Sequence, residues 1–237
     1  MRRIAVSILI LSAIRWLSGA GAAPLYAQPK EGDKLNGKLG VTPGIAQLDT
    51  ADLNSRLAAY GYPGIPQWYF TLGAIYQLSD GAFVSDIEYI RYINNSLTGG
   101  GNVTTAGGWN SWLNLGYAIV NLPYFQFYPM VGLGGGTLTV KVGEDFTGQG
   151  FDSILSATNT AVDLEKGVYS VFLGGGIDFS IDLGESNPVD LLIGLRAGYI
   201  FDLSATTGWT SHGVALASGP NSGFSGFSAR LYVGVSE

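Results

Sequence analysis

The stretch VYSVFLGGGIDFSIDL at residues 168–183 decides the fold. Its odd-numbered positions are large and apolar or aromatic apart from Gly175, whereas its even-numbered positions are mostly small, polar or acidic. Because successive side chains of a β-strand point to opposite faces, this pattern predicts a strand with one apolar and one polar face. Its 16 residues exceed the roughly 5–6 of an ordinary strand and the about 9–11 that a tilted strand needs to cross a bilayer. The central Asp178 predicts that the polar face meets water or a cation.

The chain is rich in apolar residues but has no apolar segment long enough for a membrane-spanning helix. Of 237 residues, 46% are hydrophobic and 13% charged, and the chain holds 36 glycines, 13 tyrosines and 5 tryptophans. No run of 18 apolar residues follows the N-terminus, which argues against a helical membrane protein and is typical of a transmembrane β-barrel. The absence of cysteine excludes disulfides and thiolate chemistry. The net charge of −6 argues against a nucleic-acid partner.

The N-terminus has the pattern of a secretory signal peptide. Arg2 and Arg3 precede an apolar run at residues 4–14, and small residues follow at 19–23. We expect residues 1–27 to be the signal peptide; cleavage after Ala22 and a retained anchor helix are the alternatives. Residues 28–34 would then form a periplasmic leader, and residues 35–237 an outer-membrane β-barrel.

The same alternation recurs along the chain and predicts eight strands. They are residues 35–47, 67–78, 82–93, 109–120, 124–140, 168–183, 189–203 and 224–235. Pro43 and Gly44 interrupt the first strand. The connections alternate between long and short, as in bacterial outer-membrane barrels, and the long ones include loops at 94–108, 143–167 and 204–223. The predicted fold is all-β: an eight-stranded antiparallel transmembrane β-barrel with one short helix in the first long loop.

That helix is predicted from spacing and capping residues. Asp49 or Thr50 can cap its start, and Leu53, Leu57 and Tyr60 recur at helical spacing. We expect the apolar stripe to pack on the protein's own surface; a partner-binding helix is the alternative.

Six charged residues fall on the small-residue face of the predicted strands. They are the cations Lys38, Arg196 and Arg230 and the anions Asp86, Glu88 and Asp178. An eight-stranded barrel is only just wide enough for its side chains to fill, and unpaired charges inside it cost several kcal/mol each. We therefore predict a lumen charge network of ion pairs; a conduction or ligand path is the alternative. Arg91 falls on the opposite face and is expected near the outer rim, where it can snorkel.

The apolar face carries aromatic residues that we expect to meet lipid. They are Trp68, Tyr76, Trp109, Tyr117, Phe125, Tyr169, Phe179 and Tyr199. The long loops are acidic and rich in glycine, with Phe146, Phe151 and Trp209 as candidate contact residues.

The strand number, the connection lengths and the stretch YPMVGLGGG at residues 128–136 resemble the OmpA-like, OmpX-like and OmpW-like small barrels of the Gram-negative outer membrane, within the wider porin family. The resemblance covers about residues 35–235. It implies a monomeric, non-enzymatic barrel that displays surface loops around a mostly plugged polar lumen. Its implied partners are outer-membrane lipid, lipopolysaccharide and the barrel assembly machinery, with no nucleic acid, cofactor or metal. The chain ends in VGVSE instead of the family's terminal aromatic residue.

Two other functions stay open. A narrow OmpW-like path for small apolar molecules would be lined by Ile75, Trp112, Met130 and Phe172 near the outer mouth. A lipid A deacylase would need a serine, a histidine and a carboxylate in a triad. The single histidine, His212, follows Ser211 in a predicted loop, and adjacent residues rarely form such a pair. Calcium binding by the acidic loops lacks the ligand spacing of known sites.

Overall fold

A computed structural model describes residues 36–149, 161–184, 189–204, 208–217 and 219–236, which form twelve strands and one helix. In chain order they are β1 (Asn36–Val41), β2 (Gly44–Gln47), α1 (Ala51–Ala59), β3 (Trp68–Asp80), β4 (Phe83–Gly99), β5 (Asn102–Tyr117), β6 (Val120–Leu122), β7 (Phe125–Glu144), β8 (Val162–Ile181), β9 (Asp190–Asp202), β10 (Trp209–Ser211), β11 (Val214–Ala215) and β12 (Gly226–Ser236). The predicted signal peptide and leader, Leu35 and Phe151 lie outside the described residues.

The strands close into a ring of eight. β1 and β2 act as one barrel strand, because both pair with β12 on one side and with β3 on the other. The order around the ring is β1/β2, β3, β4, β5, β7, β8, β9 and β12, all antiparallel. Starting at Asn36 and moving from each residue to its partner on the next strand, one circuit of the ring ends at Ala46. The strands are therefore staggered by ten residues around the barrel. The predicted eight-stranded antiparallel barrel with one short helix is confirmed.

The break between β1 and β2 lies at Pro43, as predicted. Proline has no backbone N–H, but the Pro43 carbonyl still accepts a hydrogen bond from the Leu231 N–H at 2.9 Å. Thr42 and Gly73 exchange two backbone hydrogen bonds at 2.9 and 3.1 Å. The ring therefore stays closed beside the proline.

The barrel has two unlike ends. At the turn end, short connections join β3 to β4, β5 to β7 and β8 to β9. The first and last described residues also lie at this end. At the loop end lie α1, the β4–β5 turn, and the connections that follow β7 and β9.

The prediction of a loop at residues 94–108 was wrong. β4 and β5 continue as a hairpin to Gly100 and Gly101, whose φ angles of 61° and 80° suit a tight turn. β3 pairs with β4 only as far as Tyr92, so the hairpin projects beyond the ring. Most side chains of residues 93–99 are exposed on both faces, and the alternation that marks the barrel strands is absent there.

The predicted loop at residues 143–167 is also partly strand. β7 and β8 each run for 20 residues against 11 for β12, and the Lys141 Nζ lies 2.9 Å from the Asp163 Oδ2 across the two strands. Within the predicted loop at 204–223, β10 pairs with β8 and with β11. β4, β5, β7 and β8 together form a wall that rises above the rest of the ring; we call it the projecting wall.

The two faces of the strands separate as the alternation predicts. On β8, Tyr169, Leu173 and Phe179 are 73%, 50% and 48% exposed, whereas Phe172 and Asp178 are buried. On β8 the charged Asp178 therefore faces the interior of the ring, whereas Tyr169, Leu173 and Phe179 face outward.

Glycines of the inner face make room for large side chains of neighbouring strands. A Cβ on Gly176 would lie 2.4 Å from the Tyr128 ring, and a Cβ on Gly134 would lie 2.5 Å from the Trp112 ring. A Cβ on Gly198 of β9 would lie 2.7 Å from the Phe172 ring of β8. The high glycine content thus serves a filled interior.

The helix α1 forms near its predicted place. Leu53 and Leu57 are buried, but Tyr60 is 81% exposed, so its predicted place in the apolar stripe was wrong. Thr50 occupies the N-cap position without a side-chain capping bond, and Asp49 Oδ1 accepts a hydrogen bond from the Ala51 N–H at 3.4 Å.

Candidate functional site: the barrel interior

A hydrogen-bonded cluster around Asp178 fills the interior near the turn end. The Asp178 Oδ2 accepts from Lys38 Nζ at 3.3 Å and from Gln77 Nε2 at 3.0 Å. Its Oδ1 accepts from the Tyr128 hydroxyl at 3.1 Å. Lys38 also donates to Gln126 Oε1 at 2.9 Å. The carboxylate therefore has both a counter-charge and donors on both oxygens, which a buried ion requires.

Arg196 joins this cluster to a second carboxylate. Its Nη1 donates to Asp86 Oδ2 at 2.9 Å, and Asn114 donates to the other oxygen of Asp86 at 2.7 Å. Its Nη2 donates to Gln77 Oε1 and, at 3.3 Å, to the Tyr128 hydroxyl. One continuous network, the lower polar network, thus runs across the interior.

The third ion pair is looser. Arg230 Nε lies 3.5 Å from Glu88 Oε1, and neither carboxylate oxygen of Glu88 accepts a hydrogen bond from a described residue. The Arg230 guanidinium also lies 5.0 Å from the centre of the Phe172 ring. The structure therefore places all six charges of the predicted lumen network inside the barrel, 0–6% exposed, as three cation–anion pairs.

Apolar side chains fill the interior at the loop end. The strands contribute Leu138, Val140 and Ile200, all fully buried. The connections contribute Leu53, Leu57, Trp209 and Phe224 to the same cluster, with Phe224 stacked on Tyr92 at 4.3 Å and 12°. We call this cluster the apolar plug.

The two connections that build the plug are tied to each other. Asp49 and Gly223 exchange backbone hydrogen bonds at 3.1 and 3.4 Å, and the Ser222 hydroxyl donates to the Asp49 carbonyl at 2.7 Å. The Asn221 N–H donates to Asp52 Oδ2 at 2.7 Å. The loop end is therefore closed by both connections together.

Lys166 is an interior cation that sequence reasoning missed. It is 0% exposed, donates to the Ser222 carbonyl at 2.6 Å and lies 3.7 Å from Asp202 Oδ2. Its position on β8 has the same parity as Asp178, so alternation would have placed it inside. The signal was lost because residues 143–167 were assigned to a loop.

The four residues expected to line an apolar path do not surround one described pocket. Trp112 and Phe172 pack against each other at 6.1 Å within the apolar cluster that also contains Met130, whereas Ile75 packs in a separate cluster with Leu192. All four are buried. A groove of about 410 Å³ opens instead on the outer surface near the turn end. Met130, one of the four predicted residues, borders it together with aromatic, proline, glycine and aliphatic residues of β4, β5 and β7.

The outward face is apolar and carries aromatic residues near both ends. Of the eight predicted outward aromatics, Trp68, Tyr76, Trp109, Tyr169, Phe179 and Tyr199 are exposed, and Tyr117 and Phe125 are half-buried. Near the turn end, Phe83 pairs with Tyr117 at 5.3 Å and Phe125 with Phe179 at 5.1 Å. Towards the loop end, Tyr89 stacks on Trp109 at 6.1 Å and Trp68 meets Phe227 at 6.5 Å. These contacts form two aromatic girdles.

Arg91 points outward and is exposed, opposite Leu72 on β3 and Trp109 on β5. It therefore lies at the girdle nearer the loop end, in agreement with its expected place near the rim.

Two of the aromatic residues predicted as surface contacts of the loops are described by the structure. Trp209 is 1% exposed and donates through Nε1 to the Pro220 carbonyl at 2.9 Å, so its expected role as a surface contact was wrong. The reason is that its connection folds back into the barrel mouth. Phe146 is half-buried.

His212 occupies the exposed turn between β10 and β11, with a φ of 48°. Among the described residues it has no hydrogen-bond or ion-pair partner, so they contain no serine–histidine–carboxylate triad around it. Those residues also hold no group of three or more histidines or carboxylates arranged for a metal ion. No helix within the described ranges has the length and hydropathy of a membrane span.

Comparison with known proteins returns distant structural similarity only. No protein-family model matches the chain, and no curated protein sequence matches it. Among solved structures, the chain is similar to Ail, the attachment invasion locus protein of Yersinia pestis, at 10% identity and a TM-score of 0.45, covering 86% of this chain and 97% of Ail. It is also similar to Neisserial surface protein A at 13% identity and a TM-score of 0.40, covering 85% and 95%. At this level of similarity we draw no conclusion from either protein.

Proposed function

We propose that this chain is a non-enzymatic bacterial outer-membrane β-barrel protein with a closed interior, which presents its projecting wall and loop-end connections at the cell surface. One observation carries the proposal: the ring holds three cation–anion pairs inside and an apolar surface with two aromatic girdles outside, on which Arg91 lies at the girdle nearer the loop end. That arrangement suits a barrel surrounded by hydrocarbon, because charged side chains are costly in the middle of a bilayer and unpaired strand edges are not tolerated there.

The filling of the interior supports a structural role over conduction. The lower polar network blocks one half and the apolar plug blocks the other. An eight-stranded barrel leaves little further room, and the space beside the inner-face glycines is already filled by aromatic rings of neighbouring strands.

The projecting wall supports a display role. β4, β5, β7 and β8 rise above β3, β9 and β12, and β10 and β11 extend the same sheet. The part above the ring carries Glu144, Asp163 and Glu165, with Lys141 paired to Asp163. Partners would therefore meet a strand-built surface instead of a set of free loops.

The remaining partners follow from the proposed location. Residues 1–27 would direct export, residues 28–34 would lie in the periplasm, and the barrel assembly machinery would insert residues 35–237 as a monomer. Outer-membrane lipid and lipopolysaccharide would then surround the outward face.

The first experiment is electrophoresis of the purified outer-membrane fraction, unboiled against boiled. A closed membrane barrel keeps its fold in detergent, so we expect a mobility shift on boiling. A protein without the shift, recovered from the soluble periplasm, would overturn the proposal.

A flux assay then separates closed from conducting barrels. Liposomes containing the protein, loaded with a potassium reporter or with a small apolar dye, should release neither faster than protein-free liposomes. A large open porin in the same lipid is the positive control. Release of the apolar dye above the protein-free rate would favour the narrow-channel alternative, and altered lipid A acylation on expression would favour the deacylase.

A further inference from the structure

The outward face of the barrel is not evenly covered by large side chains. The groove of about 410 Å³ near the turn end is bordered by the outward residues Phe83, Leu115, Tyr117, Pro129 and Val131. No charged side chain is among the described residues that border it. The rings of Phe83 and Tyr117 pack edge to face at 5.3 Å and form its end nearest the turns. The groove therefore offers an apolar ligand a defined place on the outer wall.

The groove continues across the barrel as a row of small outward residues. Pro129 of β7 is paired with Gly175 of β8, Gly175 with Ala197 of β9, and Ala197 with Ala229 of β12. None of these residues carries a side chain that rises far from the wall. We call the groove and this row together the outer furrow.

Two rows of large apolar side chains border the outer furrow. On the loop-end side the paired residues are Val131, Leu173, Tyr199 and Phe227, which are 44%, 50%, 45% and 41% exposed. On the turn-end side the paired residues are Phe127, Ile177, Leu195 and Leu231. A ligand in the outer furrow would therefore contact the wall beneath it and a ridge on either side.

The outer furrow climbs from the turn end towards the loop end. Phe83 is the first residue of β4, directly after the turn from β3, whereas Ala229 is the fourth residue of β12, which begins at the loop end. The six neighbouring strands that it crosses are about 4.8 Å apart, so its length is about 24 Å. A path inclined by about 45° through half of a hydrocarbon core of about 30 Å is about 21 Å long. The outer furrow thus matches one acyl chain in one leaflet.

A second copy of the chain does not fit the outer furrow. Two barrels inserted in one membrane stand in the same orientation. Strands of a barrel are tilted by about 35–45°, so the rows of paired residues on two facing surfaces cross at roughly a right angle. The ridges of one copy could then not lie along the outer furrow of the other. A flexible single chain meets no such restriction.

We propose that the outer furrow holds one acyl chain of a phospholipid from the periplasmic leaflet, with its head group at the turn end. This inference rests on the membrane location proposed above. Phe83 and Tyr117 lie at the girdle near the turn end, the level at which aromatic residues meet lipid head groups. Because lipid is as apolar as the wall, the chain is retained by close packing against both ridges and not by exclusion of water.

The test is photolabelling of the unmodified protein in vesicles of phosphatidylethanolamine and phosphatidylglycerol. A trace of the phospholipid carries a diazirine in one acyl chain, and the labelled residues are mapped by mass spectrometry. We expect residues 129, 175 and 197 to be labelled several-fold more than residues 72–76 of β3, which also face outward. Uniform labelling of the outward face, with the gel shift on boiling intact, would overturn this inference alone. No labelling and no gel shift would overturn the membrane location as well.

The position of the diazirine tests the direction of the chain. A diazirine near the carboxyl end of the acyl chain should label Tyr117 and Pro129 most, and one near the methyl end should label Ala197 and Ala229 most. The reverse order would overturn the assignment to the periplasmic leaflet, because a lipid of the other leaflet enters from the loop end.

A matched pair of variants tests the shape of the outer furrow. Ala197→Phe places a ring in the furrow, whereas Ala74→Phe places the same ring on the exposed outward face of β3. Both variants should keep the gel shift on boiling. Labelling of Pro129 and Gly175 should fall several-fold in Ala197→Phe and stay unchanged in Ala74→Phe. Equal labelling in the two variants would contradict the proposal.

Ala197→Cys tests the competing occupant. The chain contains no other cysteine, so a disulfide-linked dimer on oxidation in vesicles would report a second copy at this surface. We expect the protein to stay monomeric on a non-reducing gel. Rapid and complete dimerisation would mean that a second copy, and not an acyl chain, covers the outer furrow.

Discussion

The two halves of the barrel interior are filled in different ways. Near the turn end, side chains of the barrel strands meet across the lumen, and their charges are paired and hydrogen-bonded. Near the loop end, much of the filling comes from connections: Leu53 and Leu57 of α1, Trp209, and Phe224. The comparison shows that one half is determined by strand alternation, whereas the other depends on how connections fold back into the mouth. Each of the following variants changes one half of the interior, or one surface turn, and is compared with a control variant elsewhere in the chain.

The largest effect is expected from Arg196→Met in the lower polar network. The variant leaves Asp86 buried without its counter-charge, and breaking a buried pair in this way costs about 3–5 kcal/mol. Urea unfolding in lipid vesicles, followed by the heat-dependent gel shift, measures the loss. Lys141→Met is the matched control: its pair with Asp163 is exposed, so the expected change is about 0–1 kcal/mol. Equal losses in the two variants would contradict the importance of the buried network.

Phe224→Ala tests the apolar plug. Removing a buried phenylalanine costs about 3–5 kcal/mol, but a connection can open without unfolding the ring, so much of the loss should stay local. We expect protease to cleave residues 208–223 faster on intact cells while the gel shift on boiling persists. Loss of that shift would mean that the plug holds the whole barrel together. Phe227→Ala, on the outer surface, is the control that should leave cleavage unchanged.

Gly134→Ala tests the packing between the two halves. The new Cβ would lie 2.5 Å from the Trp112 ring, and overpacking of this kind costs about 1–3 kcal/mol. Gly167→Ala is the control, because no atom lies within 4 Å of its added Cβ. The same urea measurement should show a loss for Gly134→Ala alone. An unchanged midpoint would mean that the interior is looser than described.

The smallest effect is expected in the turn after β7. The Thr147 hydroxyl and then its backbone N–H donate to Asp145 Oδ1, which holds the pKa of that carboxyl below its ordinary value. The contact is therefore present above this lowered pKa and is lost as the pH falls through it. Thr147→Ala should raise the pKa of Asp145 towards the ordinary value, measured by a carboxyl ¹³C titration. Ser96→Ala, on the β4–β5 hairpin, should leave the titration unchanged. A titration curve of Asp145 that does not move in Thr147→Ala would contradict the assigned cause.

The same comparison explains how much could be predicted from the sequence. Alternation placed Asp178, Arg196 and Phe179 on their correct faces. In the ring, the inner face of each strand is packed against other strands and the outer face is apolar and exposed, so successive residues differ in character. It failed at residues 94–108, since the β4 half of the projecting hairpin is exposed on both faces and the alternation is lost there. Lys166 was missed for a different reason: it follows the alternation of β8, but residues 143–167 were assigned to a loop.

The apolar plug could not be predicted for a different reason. Trp209 and Phe224 lie in or beside a polar, glycine-rich segment, and nothing local distinguishes a surface aromatic from one that folds into the mouth. Their burial depends on long-range contacts such as the Asp49–Gly223 bridge and the Ser222 hydrogen bond to Asp49. Tyr60 shows the converse error: it has helical spacing, but it lies past the last turn of α1.

The central claim, that the outward face meets lipid, is tested most directly by a spin label on that face. The chain contains no cysteine, so Leu173→Cys provides a unique attachment site on β8. In lipid vesicles, the nitroxide at residue 173 should be accessible to dissolved oxygen and protected from a water-soluble nickel chelate. A label at Val214→Cys, on the exposed strand β11, should show the opposite preference. Equal access of the chelate to both positions would contradict the account, because the apolar face would then lie in water.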